Sequence, residues 1–257
     1  MSEGAPTTSI VVGAGGDIGA ACALRMADFA DEVLCVDRDT RRSREVAELV
    51  KRSGGRAVSL TADADDSRFV DQIVGLCGAG SVHSVVYAIG YEDDEPAETI
   101  SLDSIRRSFA IGPLGAFDLF RGLLVGDRLK SGAALTAIGS LHARYAFARA
   151  IGYNAAHAAL VQIVRSLAHE WAPRRIRVNA VVPGWIRTTG ELLHYGVETL
   201  DSAAPLLPFG RLGTAQDVAS AVAFLCSPDA GYVSGSFLVV DGALSAAQAW
   251  LPNGEVL

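Results

Sequence analysis

Charge is scarce and of the wrong sign for a nucleic-acid binder. Only 20% of the 257 residues are charged, and 29 Asp and Glu against 22 Lys and Arg leave a formal net charge of −7, with a pI near 5.2. Such a surface repels a phosphate backbone, so nucleic acid is not an expected partner. Cysteine is sparse and scattered: Cys22, Cys35, Cys77 and Cys226 form no CxxC pair. They read as small buried hydrophobes in a reducing compartment, and their spacing supplies no metal site. The polar stretch Met1–Ser9 has no basic segment leading into an apolar one, so no secretory signal is expected. The longest apolar runs fall short of the ~20 residues a membrane helix needs, so neither is a membrane partner. The chain is expected in the cytoplasm. Repeats, low-complexity linkers and composition breaks are also missing. What is abundant is apolar content, 50% of residues with a mean hydropathy of +0.28, which excludes a disordered chain. The length suits one domain over residues 1–257.

Short β-type apolar runs alternate with longer helical stretches. The strand candidates are Ser9–Val12, Glu32–Val36, Arg56–Leu60, Ser84–Ala88, Ala133–Ile138, Arg177–Val182 and Ser236–Val240. Several, such as Val33-Leu34-Cys35-Val36, are apolar on both faces, as a sheet covered on both sides requires. The helical candidates are Ile18–Phe29, Arg41–Ser53, Ser67–Leu76, Ser104–Leu124, Ile151–Trp171 and Ala215–Cys226. This alternation predicts an α/β fold, a doubly wound parallel sheet of about seven strands with helices on both faces. Tyr91–Ile100, Thr189–Pro208 and the tail from Leu244 carry the least pattern. The acidic run Glu92–Glu95 reads as a solvated loop rather than a metal site.

The first strand candidate runs into Gly13-Ala14-Gly15-Gly16-Asp17-Ile18-Gly19 and then a helix. Glycines there let the backbone turn tightly and approach a pyrophosphate, which the free N–H groups and dipole of the helix start would hold. Asp37 follows the second strand candidate, 24 residues after Gly13. A carboxylate there accepts ribose hydroxyls and repels a 2′-phosphate, which favours NAD over NADP. The competing role for Asp37 is a helix N-cap.

Together with the segments downstream, these features resemble the short-chain dehydrogenase/reductase family over nearly the whole chain. The glycine turn is similar to that family's Thr-Gly-xxx-Gly-x-Gly loop, with Val12 for Thr and Asp17 for the middle glycine. Asp63, beside Ala64, stands where the family's adenine-contacting Asp lies. Tyr87-Ala88-Ile89-Gly90 replaces an Asn-Asn-Ala-Gly segment, and the run Arg177–Thr188, with Pro183, Gly184, Ile186 and Thr188, is similar to the strand-six motif that contacts nicotinamide and phosphates. Gly210–Gly213, Asp217–Ala219 and Val240–Gly242 match the C-terminal half. The resemblance implies a Rossmann-type fold, a nicotinamide cofactor and hydroxyl–carbonyl chemistry on a small molecule.

It also implies a catalytic set of Ser, Tyr, Lys and Asn. Ser140 and Tyr153, thirteen residues apart, match the first two. The Lys position, four residues after Tyr153, holds His157, and the Asn position holds Gly112. His157 is open to three readings: a cationic substitute for Lys that supports Tyr153 and reaches the ribose, an acid or base in different chemistry, or a relic. Gly112 removes the amide that supports a helix bulge in the family. His142, Arg144, Tyr145 and Arg149 fall where relatives line the substrate pocket, and the two arginines raise the choice between an anionic substrate and solvated loop charge. The expected function is NAD(H)-linked oxidoreduction, beside a redox-neutral enzyme reusing the pocket or a non-catalytic nucleotide binder. The family pairs through its two long helices, and the small residues Ala155, Ala156, Ala158 and Ala159 suit such packing, so a homodimer or homotetramer is expected. Thr189–Pro208 is expected to form a mobile substrate loop.

Overall fold

The strands line up in the order β3-β2-β1-β4-β5-β6-β7, every neighbouring pair parallel. They are β1 (Thr8–Val12), β2 (Glu32–Asp37), β3 (Ala57–Thr61), β4 (Val82–Tyr87), β5 (Leu129–Ile138), β6 (Arg177–Pro183) and β7 (Phe237–Val240). The computed structural model describes residues 6–92 and 94–247. Parts of the Met1–Ser9 and Leu244 stretches, and Asp93 in the acidic run, lie outside the described residues. The chain leaves β1 toward β2 on one side and returns to β4 on the other. That reversal opens a crevice at the carboxyl ends of β1 and β4, where such sheets bind ligands.

Both sheet faces are covered, which explains the uniformly apolar strands. On one face lie α3 (Phe69–Leu76), α5 (Gly115–Val125) and α6 (Ile151–Trp171), packed through Phe69, Leu119, Phe120, Leu160 and Val164. On the other lie α1 (Asp17–Met26), α2 (Thr40–Arg52) and α9 (Ala215–Cys226), packed through Cys22, Met26, Val46, Val50 and Val222. Local chemistry fixes the helix starts. Asp39 caps α2 by accepting the Arg41 and Arg42 amides, and Thr214 and Asp217 form a reciprocal capping box on α9.

Three sequence expectations are corrected. The stretch expected as one helix over Ser104–Leu124 is α4 (Leu102–Phe109), a π-turn at Ala110–Leu114, and α5. Pro113 lacks an amide proton, so the regular ladder breaks there. The Gly115 amide reaches back to Ala110, and the Ile111 carbonyl instead accepts the buried Tyr87 hydroxyl of β4 at 2.5 Å. The bulge therefore persists without an asparagine at position 112. The same stretch, Leu102–Val125, is also long and apolar enough by composition to cross a membrane. Here it serves as a core helix, with Ala116, Leu119, Phe120 and Leu123 buried against the sheet.

The third correction concerns Thr189–Pro208, expected as irregular. It forms α7 (Thr189–Tyr195) and α8 (Val197–Ala203), followed by a 3-10 turn at Ala204–Leu206. Each helix is too short for a full amphipathic repeat, which hides it from periodicity. The segment has its own small core of Leu200, Leu207 and Leu212, with Trp185 and Leu192 packed on it.

Candidate active site

The glycine turn is built as its sequence requires. Gly13 has φ of +79°, and a Cβ there would meet the Ala88 carbonyl. A Cβ on Gly19 would collide with the Gly13 carbonyl, so only glycine lets α1 start this close to β1. Gly16 precedes α1 and no side chain caps it, which leaves the first amides of the helix, from Asp17, Ile18 and Gly19, pointing into the crevice. Uncapped amides at a helix start fit a pyrophosphate.

Asp37 stands beside that turn. One carboxylate oxygen accepts the Gly15 amide at 2.8 Å and the other accepts the Asp39 amide at 2.9 Å. Asp39, not Asp37, caps α2. Each oxygen of Asp37 keeps a lone pair, so the residue can still accept ribose hydroxyls. Asp63 follows β3 and accepts the Asp65 amide, with Ala64 half-buried beside it. Ala88 leaves the end of β4, donating its amide to Val12. Gly90 lies over Tyr153 and His157, where a Cβ would come within 3.4 Å of the Tyr153 ring.

Asp17 behaves differently from the other predicted cofactor residues. Its backbone belongs to the open helix start, but its carboxylate accepts the amide and hydroxyl of Thr189 at 2.9 and 3.1 Å. It therefore latches α7 to α1. Thr188 uses its hydroxyl oxygen to cap α7 through the Glu191 amide. Pro183 ends β6. A Cβ on Gly184 would meet Asp241, and Ile186 is buried and bridges to Gly213.

From this crevice a cleft of about 710 Å³ extends between the end of β5 and the α7 segment. Ser140 and Tyr153 share it. The Ser140 hydroxyl accepts the His142 amide at 3.3 Å. Tyr153 projects from the first turn of α6, and the His157 ring follows one helical turn on, with centroids 4.2 Å apart. Burial pushes the Tyr153 phenol up, and Glu92 adds to it, while the Ser140 hydrogen bond pulls the other way.

His157 is 6% exposed, and burial pushes it down to about 4. Burial therefore favours its neutral form, which counts against a cationic role in place of lysine. Its Nδ1 has no partner, and the void beside it, between Gly90, Gly112 and Ala156, is too tight to hold a water molecule. The chain's two lysines are Lys51 and Lys130. Neither lines the cleft.

The arginines between Ser140 and Tyr153 give the cleft no uncompensated cation among the described residues. Arg149 is paired with Asp94 at 2.5 Å, and Arg144 lies over the Tyr145 ring, off the cleft. The acidic run is more than solvated loop. Glu92 and Asp94 line the cleft, and burial together with Glu191 pushes the Glu92 carboxyl up. Glu191 in turn accepts the Trp185 indole N–H at 2.6 Å. Glu92 and Glu191 had no motif to mark them, and Trp185 lay inside the strand-six motif without a role assigned. They converge only because α7 folds back over the cleft.

A family model described as enoyl-(acyl carrier protein) reductase matches residues 13–245. The chain belongs to the short-chain dehydrogenase/reductase family. It is 30% identical over 244 residues to 3beta-hydroxysteroid dehydrogenase 1 of Eggerthella lenta, covering 93% of each chain. It is 32% identical over 242 residues to glucose 1-dehydrogenase of Gluconobacter oxydans, covering 92% of this chain and 91% of that one. Among solved structures, a 7 alpha-hydroxysteroid dehydrogenase complexed with NADH and 7-oxo glycochenodeoxycholic acid superposes with a TM-score of 0.84 at 26% identity, covering 92% and 93% of the two chains. The angucycline C-6 ketoreductase LanV with bound NADP also gives 0.84 at 26% identity, covering 92% and 94%. Membership carries the family's general chemistry, oxidoreduction between hydroxyl and carbonyl with a nicotinamide nucleotide. The open helix start of α1 and the glycine turn fit such a nucleotide.

Proposed function

We propose that this short-chain dehydrogenase/reductase is an NAD(H)-dependent enzyme that interconverts a hydroxyl and a carbonyl on a small-molecule substrate, with Ser140 and Tyr153 at the reacting oxygen. The observation that carries the reading is that Ser140 and Tyr153 line one cleft together with Ile18 at the start of α1 and with Pro183, Gly184 and Ile186. When bound, the nicotinamide exchanges a hydride with the substrate carbon. The amides around Gly13, Gly15, Asp17, Ile18 and Gly19 would hold the pyrophosphate. Asp37 would take the ribose, Asp63 and Ala64 the adenine, and Ala88, Gly90, Pro183, Gly184, Ile186 and Thr188 the nicotinamide half.

Ser140 holds the substrate oxygen and Tyr153 gives it a proton. A phenol pushed up by burial stays protonated near neutral pH, which suits proton donation to a carbonyl. The reverse step needs the phenolate, and neutral His157 offers it no cation. In the direction of reduction, Tyr153 is thus already in the protonated form the step needs. Asp37 supports NAD over NADP, since its carboxylate repels a 2′-phosphate. NADH should bind at least about tenfold tighter than NADPH, roughly 1.4 kcal/mol. Homodimerisation through α4, α5 and α6 is supported by the exposed Leu102, Phe117 and Ile151 on those helices.

A second reading has a specific observation in its favour. His157, held toward its neutral form and set edge to face against Tyr153, suits acid–base chemistry without hydride transfer. NADH consumption against a panel of ketones, run beside product analysis without cofactor, separates the two. Product without cofactor selects the redox-neutral reading.

A further inference from the structure

His142 stands two residues after Ser140, and its ring is held on three sides. Phe147 stacks on it at 4.1 Å between centroids, the Tyr153 ring meets it edge to face at 4.9 Å, and its Nδ1 lies 2.7 Å from Oδ1 of Asn154. The Asn154 amide is itself oriented, because its nitrogen donates to the Phe147 carbonyl at 2.9 Å. Oδ1 must therefore be the acceptor, so the His142 proton sits on Nδ1 and the lone pair on Nε2. Nε2 makes no hydrogen bond within the protein among the described residues and is not among the buried unpartnered atoms, and His142 lines the cleft. This is a fixed, neutral acceptor beside the proton donor, and the chain spends two side chains, Asn154 and Phe147, on keeping it so.

The rest of the cleft points the same way. Glu92 and Glu191 offer acceptors, Arg149 is already paired, and the walls at Phe147 and Trp185 are aromatic. Such a lining suits an uncharged ligand that presents several O–H donors.

We propose that Nε2 of His142 accepts a hydrogen bond from a second hydroxyl of the substrate, on the carbon next to the reacting one, so that the cleft selects α-hydroxy ketones and vicinal diols. The inference rests on the placement of Ser140 and Tyr153 at the reacting oxygen. Under it, His142 binds and orients substrate and does not itself move the proton.

The test compares 2-hydroxycyclohexanone with cyclohexanone in NADH-linked reduction by the full chain. Wild type should prefer the hydroxy ketone by about tenfold in kcat/KM, the scale of one lost hydrogen bond with its acceptor left unpaired. His142→Phe keeps the ring stack and removes the acceptor, so the preference should collapse to about one. His142→Gln, which restores an acceptor oxygen, should recover part of it, an outcome that a merely structural role for His142 does not produce. If His142→Phe does not fold, Asn154→Leu, which frees the tautomer, should weaken the preference instead. An unchanged preference in the folded variants, or none in wild type, overturns the proposal. If neither ketone consumes NADH, the hydride-transfer reading fails, and saturation-transfer NMR with trans-1,2-cyclohexanediol against cyclohexanol decides this one alone. Preferred binding of the diol that His142→Phe abolishes supports it, and equal binding refutes it.

Discussion

His157→Lys places a cation where the structure has a neutral ring. His157 is 6% exposed, pushed down to about 4, and set edge to face against Tyr153 at 4.2 Å between centroids. The phenol meanwhile is pushed up by burial and by Glu92. A lysine ammonium within ~4–6 Å of the phenolic oxygen lowers its pKa by about 1–3 units, which at 1.36 kcal/mol per unit is ~1.4–4 kcal/mol of added phenolate stabilisation. Each unit raises the ionised fraction, and with it the rate of alcohol oxidation, about tenfold wherever ionisation limits. The lysine pays a desolvation cost in that position, which lowers its own pKa and places the gain in the lower part of this range. Two assays read the effect. The near-ultraviolet absorbance of tyrosinate, with Tyr153→Phe as the blank, gives the titration directly, and the pH profile of kcat/KM for oxidation gives its consequence. His157→Met, neutral like the native ring, should leave both where they are. A folded lysine variant with an unmoved tyrosine titration and an unmoved oxidation profile would refute the electrostatic account of Tyr153.

Acid should unfold the protein partly through His157. Its folded pKa, about 4, lies below the unfolded 6.5, so its stabilising share is full above 6.5 and is lost as pH falls toward 4, to a total of about 3 kcal/mol. Urea melts at neutral and acid pH should show this, and His157→Met should flatten the decline; an equal decline in the variant removes His157 from the account. Asp37→Ala should weaken NADH about tenfold and narrow any difference from NADPH, read by fluorescence titration, and unaltered affinity would take the ribose role from Asp37. Asp17→Ser should loosen the latch to Thr189 and speed hydrogen exchange in α7, while NAD should slow it across residues 189–208; exchange indifferent to both counts against a lid.

The strands were legible because burial on both faces leaves runs like Val33–Val36 no polar positions, and turns of Gly, Asp and Ser punctuate them. The nucleotide crevice was legible because Gly13 and Gly19 answer a backbone constraint that no other residue meets. Interactions that cross the fold were not. The π-turn could not be read at Gly112, because what holds it is Pro113 within the helix and Tyr87 from β4, 24 residues upstream of the carbonyl it binds. His157 could be seen as a departure from lysine, but its neutrality comes from burial, which spacing does not report. α7 and α8 were missed because seven residues hold under two helical turns. The pairing of Arg149 with Asp94 joins two loops 55 residues apart, and it removes the hint of an anionic substrate.

The central claim is that a hydride passes between a nicotinamide and a carbon held by Ser140 and Tyr153. The most direct measurement supplies NADH deuterated at the transferred position with a ketone panel, then looks by mass spectrometry for deuterium on the carbinol carbon of the alcohol. The account predicts label in the alcohol formed by wild type and its loss, together with turnover, in Tyr153→Phe. Product that carries no label, or no product from any ketone at saturating NADH, would contradict it.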